Sequence, residues 1–350
     1  MCILNIYKDE IKFVHLCKFK FSSFNMNKVL SLSLATILAS GFALFGCSKQ
    51  PAEDKQDDVK NMSTLSIGYQ KAALKLIVAK ENQLFEKEFP NVKIEWKEFP
   101  AGPQTLEALS VKSIDFGYTG DAPIVFALSA GKPLNYLGYE QSSSQAHAIL
   151  LPNESGIKNL ADLKNKRIAL TRGSSAHNFL AETLKHANLS WSDIQPIWLS
   201  PSDARAALGK KAIDAWAVWD PYISAAEIDG NAKILFESTH LPATYSYYLA
   251  QPQFIKDHPN DAEKVLAVLN QTDEWIRTHK SEATEILAKS TGLITQVAEQ
   301  VINKKPIPNP VAILTPEVIE SQQKIADLFY GQTLIPNSID ASKFAWKSNP

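Results

Sequence analysis

Short apolar runs alternate with amphipathic ones from residue 64 to residue 250, and beyond that point only amphipathic runs remain. Such an alternation commits a chain to an α/β fold, with parallel sheets and helices on both faces. Residues 64–68 read as a strand and 74–84 as a helix. Residues 92–96 alternate apolar and polar with period two, as a half-buried strand does. A helix over 104–111, a strand over 116–118 and a helix over 123–130 follow, with Pro123 in a first turn where its missing N–H costs nothing. A second series starts near Leu150, with strands at 167–170, 194–199 and 215–219 and helices at 176–186 and 201–208. A short strand at 235–236 and another at 247–250 close the series. Helices alone follow, at 259–279, 281–288, 295–303 and 316–330.

No repeat at fixed spacing links the two series, so they read as two lobes, the first rejoined by the helical tail. Lobe one is expected over 64–150 and 245–350, and lobe two over 151–244. The chain then crosses near Leu150 and returns near Tyr245, and two crossings make a hinge.

All three cysteines, Cys2, Cys17 and Cys47, precede residue 48. The body therefore has no disulfides and no thiol chemistry, and relies on its core. A net charge of −1 without a basic run argues against nucleic acid. Val29 to Phe45 are almost wholly apolar or small, Asn27 and Lys28 precede them, and Gly46-Cys47 follow. These are the charged and apolar parts of a secretory signal, ending in what resembles a bacterial lipobox with Cys47 as the acylated residue. The alternative is a membrane-spanning helix, which needs about 20 apolar residues and finds the run short. Residues 26–46 are thus expected to be a lipoprotein signal, 47–63 a polar tether to the membrane anchor, and 1–25 a leader upstream of a better start at Met26.

Five stretches carry candidate ligand contacts. Gln70 follows the first strand and offers an amide donor and acceptor, or is a solvated loop residue. Gly102-Pro103-Gln104-Thr105 opens a helix whose free N–H groups suit an anion, or is plain strand-to-helix punctuation. Thr119-Gly120-Asp121 stands at another such turn, where Asp121 is a ligand contact or an N-cap. Gly173-Ser174-Ser175 opens a third helix, with His177 in its first turn as a contact, cap or surface residue. Asp214-Ala215-Trp216-Ala217-Val218-Trp219-Asp220-Pro221-Tyr222 brings two indoles and a carboxylate to a strand end, where ligands of open α/β sheets bind. Trp216 reads as core; Asp220 binds a tail amine or, preferably, orders its turn.

Nucleophilic and metal chemistry find little support. The body has no Gly-x-Ser-x-Gly elbow and no Walker loop. Nothing places an orienting carboxylate beside Ser174 and His177, and no second ligand stands at metal spacing from His177. No catalytic residue, metal or cofactor is expected.

Several runs together resemble the aliphatic-sulfonate-binding proteins of ABC importers, within the group that includes taurine and nitrate receptors. They are Ile67-Gly68-Tyr69-Gln70-Lys71, Glu98-Phe99-Pro100-Ala101-Gly102-Pro103-Gln104, Ser113-Ile114-Asp115-Phe116-Gly117-Tyr118-Thr119-Gly120 and Asp203-Ala204-Arg205-Ala206-Ala207. Asp214 to Tyr222, the most specific run, and Gln323 to Tyr330 complete the set. The resemblance implies a two-lobed periplasmic binding protein fold, each lobe a mostly parallel sheet flanked by helices, with a helical C-terminal tail. It implies a monomeric, lipid-anchored periplasmic receptor that hands a small sulfonate anion to an ABC permease in the inner membrane. Gln70, Gln104, Thr119, Ser174 and Ser175 would hold the head, with backbone N–H groups at Gly102 and Gly120. Trp216, Trp219 and Tyr222 would face the tail or close the cleft. Arg172 stands where relatives carry a lysine-type residue, and Asp121 where many carry Glu; Arg172 adds positive potential to the cleft or reaches only solvent. Rival readings are a taurine, nitrate or thiamine-pyrimidine receptor, an enzyme on the same fold, or a chemosensory or adhesion lipoprotein.

Overall fold

The structure is a computed structural model that describes residues 62–347. The expected signal, Cys47 and nearly all of the tether lie outside the described residues. The first sheet is built from β1 (Thr64–Tyr69), β2 (Lys93–Glu98), β3 (Phe116–Thr119), β4 (Asn135–Gln141) and β10 (Tyr245–Ala250), in the order β2-β1-β3-β10-β4. The second contains β5 (His147–Pro152), β6 (Arg167–Leu170), β7 (Gln195–Trp198), β8 (Ala215–Trp219) and β9 (Ala232–Glu237), in the order β7-β6-β8-β5-β9. The two orders are equivalent. In each sheet one strand runs against the others: β10 is antiparallel to β3 and β4, and β5 to β8 and β9. The reversed strand is in both cases the one that follows a passage between lobes.

The first passage therefore falls between Gln141 and His147, not near Leu150. The run Ala148-Ile149-Leu150-Leu151 looks like the close of the first series because it follows β4 directly, yet it pairs wholly within the second sheet. The return passage lies between Glu237 and Tyr245. The two linkers bond to each other: Ser142 N–H donates to Thr244 O at 3.0 Å, and Ser238 Oγ to Ser144 O at 2.8 Å.

β8 illustrates how the sequence sets the sheets. All five residues of Ala-Trp-Ala-Val-Trp are buried. Trp216 and Val218 enter one apolar cluster while Ala215 and Ala217 enter the cluster on the opposite face, as period-two alternation in a doubly covered strand requires.

Helices join the strands in lobe one as α1 (Leu74–Glu81), α2 (Leu84–Glu88), α3 (Gly102–Ser110) and α4 (Asp121–Ser129). Lobe two carries α5 (Ser175–His186), α6 (Pro201–Gly209) and α7 (Tyr222–Ile228). The tail comprises α8 (Pro252–Asp257), α9 (Pro259–Thr278), α10 (Lys280–Thr291), α11 (Thr295–Lys304) and α12 (Pro316–Gly331). The helix expected over 74–84 divides because Gln83 takes a left-handed conformation (φ 53°) between α1 and α2. The tail reaches both lobes. α12 packs Ile325, Ala326 and Phe329 with Ala122 and Val125 of α4 and Ala181 of α5, and Gln300 and Lys304 of α11 bond Glu227 of α7.

Candidate functional site

β1, β3, β6 and β8 all end at the junction of the lobes, and α3, α4, α5 and α7 begin there. The N-cap residues of α3, α4 and α5 are Ala101, Gly120 and Ser174, all extended, and none caps its helix with a side chain. Helix starts of this kind present backbone N–H groups and a partial positive charge. Asp121 Oδ1 takes the Ala122 N–H, and the Ser174 carbonyl takes that of His177.

Two glycines permit the crowding. A Cβ on Gly102 would stand 2.1 Å from Thr119 Oγ1, and a Cβ on Gly120 would stand 2.7 Å from Ser175 Cβ on the other lobe. The lobes are thus closed on each other at Gly120 and Ser175. Thr119 is wholly buried and its Oγ1 has no partner.

Of the expected site residues, Gln70, Gly102, Thr119, Gly120, Asp121, Ser174, Ser175, Trp219 and Asp220 line one cleft. Gln104 does not: its side chain is exposed, one position past Pro103 on the outer face of α3. His177 does not either. It is buried behind the cleft, where Nδ1 accepts from Gly173 N–H at 3.2 Å and the ring stacks on Phe126. Burial and the nearby Arg172 hold it down to about 3, so it is neutral. Trp216 is core, and Tyr222 packs against Trp216 and Trp219 outside the cleft lining. Arg172 is exposed, over the Trp198 ring. Asp214 lies at the far end of β8 and binds Arg167.

Lining the cleft is not the same as offering a donor to it. Gln70 Nε2 donates to Tyr118 O at 2.8 Å and to Thr105 Oγ1 at 3.2 Å, which uses both its hydrogens. The Ser174 hydroxyl donates to Thr171 O at 2.7 Å, tying its own turn. Among the side chains expected to hold an anion, Thr119 keeps a free hydroxyl hydrogen, and Ser175 does so when the imidazole nitrogen beside it carries the ring proton. Ser175 Oγ is 2.8 Å from His147 Nε2. Burial lowers His147 to about 4, so it too is neutral. With Nε2 protonated it donates to Ser175 and leaves the serine hydrogen for the cleft.

The carboxylates are committed elsewhere. Asp121 accepts from Ala122 N–H and from Asn178 Nδ2 (2.7 Å) across the lobes, and burial pushes it up to about 7. Asp220 accepts from Ser224 N–H at 2.9 Å, ordering the first turn of α7, and lies 3.4 Å from Lys304 Nζ. Glu140 is 2.5 Å from the buried Lys75, which also meets Asp273 at 3.3 Å. Lys305 is half-buried at the cleft with no carboxylate in ion-pair range among the described residues, and desolvation lowers its pKa.

His147, Glu140, Lys304 and Lys305 line the cleft without having been expected there. His147 opens β5, which follows β4 in sequence but pairs in the second sheet. The lysines end a helix that only the tertiary fold carries to the cleft; the dibasic pair before Pro306, in a chain of near-zero net charge, was the available signal.

The NMT1/THI5-like family model matches residues 70–283. The putative aliphatic sulfonates-binding protein of Escherichia coli K12 is 41% identical over 92% of this chain and 97% of its own length. The alkanesulfonate-binding protein SsuA of Xanthomonas axonopodis pv. citri, solved bound to MOPS, superposes with a TM-score of 0.79 at 42% identity, covering 81% of this chain and 98% of that one. The periplasmic aliphatic sulphonate binding protein SsuA of E. coli gives 0.75 at 43% identity, over 81% and 97%. The two-lobed fold is common to all of them, and the chain belongs to the aliphatic-sulfonate-binding proteins of ABC importers, within the NMT1/THI5-like family.

Proposed function

We propose that the cleft captures an aliphatic sulfonate and that the closed protein delivers it to an ABC permease. The observation that carries this reading is the meeting of three helix starts without side-chain caps around Thr119 Oγ1, which is buried and unpartnered. A sulfonate is a permanent anion with three acceptor oxygens. Backbone N–H groups and the Thr119 and Ser175 hydroxyls satisfy it without any proton being taken up. Lys305 adds positive potential, and Trp219 gives the first carbons of the tail an apolar wall.

Taurine fits less well. Its ammonium needs a free carboxylate, and Asp121, Glu140 and Asp220 all have partners. An enzyme is disfavoured as well. Ser175 has an imidazole beside it, but among the described residues no carboxylate bonds the other ring nitrogen, and a histidine held near 4 is a poor base at neutral pH. We place the receptor as a monomer in the periplasm, held to the membrane through an acylated Cys47.

A thermal-shift screen with methanesulfonate, ethanesulfonate, taurine and nitrate tests the reading. Micromolar affinity at millimolar ligand stabilises the native state by about 4 kcal/mol. The sulfonates are expected to raise the melting temperature, with ethanesulfonate ahead of taurine, and Ser175→Asp is expected to remove the shift by setting a second anion at the start of α5. No response to any sulfonate would sink the proposal.

A further inference from the structure

The cleft crosses the end of the first sheet. Paired residues of neighbouring strands point to one face, and successive residues point to opposite faces. Thr119 pairs with Tyr247, while Tyr118 pairs with Tyr248 and Ser246 with Glu140. Tyr118, Ser246 and Glu140 therefore share the face opposite to that of Thr119, and all three line the cleft. Thr119 turns to the start of α3, where it crowds Gly102. Thr119 and the start of α3 thus lie on one side of the sheet's end, and a second group of polar side chains lies on the other. That group has donors to spare. Tyr118 OH donates to Ser246 Oγ at 2.9 Å, and Ser246 Oγ lies 3.2 Å from Ser142 Oγ. Whichever serine donates in the second contact, the hydrogen of the other is left over. Lys304 is spent on Asp220 and Glu227, at 3.4 and 3.2 Å. Lys305, just past α11, makes one long bond to Ala72 O at 3.4 Å and keeps its other two hydrogens.

We propose that this far side is a hydroxyl subsite, where Lys305 and the Ser142–Ser246 pair hold the terminal oxygen of a short hydroxyalkanesulfonate, and that Lys305 sets the preference for it. The proposal rests on the sulfonate reading above. The free space in the cleft is about 70 Å³, room for only a few water-sized groups, so the chain between head and tail is short. A terminal hydroxyl accepts from the ammonium or from the leftover serine hydrogen. A methyl group in its place strips water from both donors and returns no hydrogen bond. An ammonium has no lone pair to accept with and is repelled by Lys305. Glu140, the carboxylate on this side, is already shared by Lys75 at 2.5 Å and Tyr248 OH at 3.0 Å.

The test is calorimetric titration of 2-hydroxyethanesulfonate, propanesulfonate and taurine, which differ only in a terminal hydroxyl, methyl or ammonium, into the wild type and Lys305→Met. Methanesulfonate, which has no tail, reports on the head site alone. In the wild type the hydroxyl compound is expected to bind roughly tenfold tighter than propanesulfonate, the worth of one hydrogen bond to a charged donor, and tighter still than taurine. Lys305→Met keeps the length of the side chain and removes the ammonium. It is expected to bring the hydroxyl and methyl compounds within about twofold of each other and to narrow the gap to taurine. The readout is the ratio between ligands, so a general loss of positive potential, which weakens every sulfonate alike, does not imitate the result. Propanesulfonate or taurine equal to or ahead of the hydroxyl compound in the wild type overturns the hydroxyl subsite. A preference that survives in Lys305→Met overturns the assignment to Lys305. Failure of the wild type to bind any of the four, methanesulfonate included, overturns the sulfonate reading instead.

Discussion

Replacing Gly120 by alanine sets a methyl group between the lobes. The new Cβ would lie 2.7 Å from Ser175 Cβ and 2.9 Å from Ser175 Oγ, and all three of its nearest neighbours are atoms of Ser175. Carbon atoms in contact rest at about 3.5–4.0 Å, so the lobes must part by roughly 1 Å at this point. The backbone itself accepts alanine, since Gly120 has φ −76° and ψ −168°, an ordinary extended conformation. No atom of its own lobe obstructs the methyl, so the cost falls on the closed state alone. Overpacking of this size costs about 1–3 kcal/mol. If the ligand binds the closed state, its dissociation constant rises roughly 5- to 150-fold.

The discriminating readout pairs calorimetric affinity with the melting temperature of the ligand-free protein. Gly120→Ala is expected to weaken binding while leaving the ligand-free melting temperature within about 1 °C of the wild type, less than the roughly 2 °C by which a loss of 1 kcal/mol would move it. Gly102→Ala is the control. Its Cβ would meet Thr119 Oγ1 at 2.1 Å and Pro123 Cγ at 2.5 Å, both within lobe one, so it should lower the melting temperature with or without ligand. Unchanged affinity in Gly120→Ala refutes the closure argument. So does a ligand-free melting temperature that falls as far as in Gly102→Ala.

Two further outcomes follow from the buried charges. Lys75→Met leaves Glu140 and Asp273 buried without their cation, which costs about 3–5 kcal/mol and should lower the melting temperature by roughly 5–8 °C. Asp121 is raised to about 7 in the closed protein against about 4 unfolded, so its contribution is fully present below pH 4 and is lost as pH rises through 7. Asp121→Asn should therefore gain a few kcal/mol over the wild type at pH 8 and little at pH 5, read by denaturant titration at both values; equal differences at the two pH values would refute the assignment.

The parts legible in the sequence are those whose cause is local. β6 and β8 fall at their expected residues because a doubly covered strand is a continuous apolar run bounded by polar residues. The turns at Gly102, Thr119 and Gly173 stand out because strand-to-helix punctuation has its own residue types. What was not legible is the direction of a hydrogen bond. Gln70, Ser174 and Ser175 are equally polar at strand ends, yet the first two spend their hydrogens on Tyr118 O and Thr171 O, while Ser175 Oγ meets His147 Nε2. That choice depends on β5, whose partners lie more than sixty residues away at β8 and β9. β5 escapes local reading because it is a reversed strand inserted beside strands of the lobe it enters, so nothing in its own sequence names that lobe; β10 is inserted in the same way beside β3 and β4. The same insertion runs the two linkers side by side and bonds them together, which leaves rotation about that pair as the economical motion between the lobes. Across the closed junction Gly120 meets Ser175, Asp121 meets Asn178 and Lys304 meets Asp220. Such contacts belong to the lobe junction as a whole, and for that reason their residues are scattered from 120 to 304 along the chain.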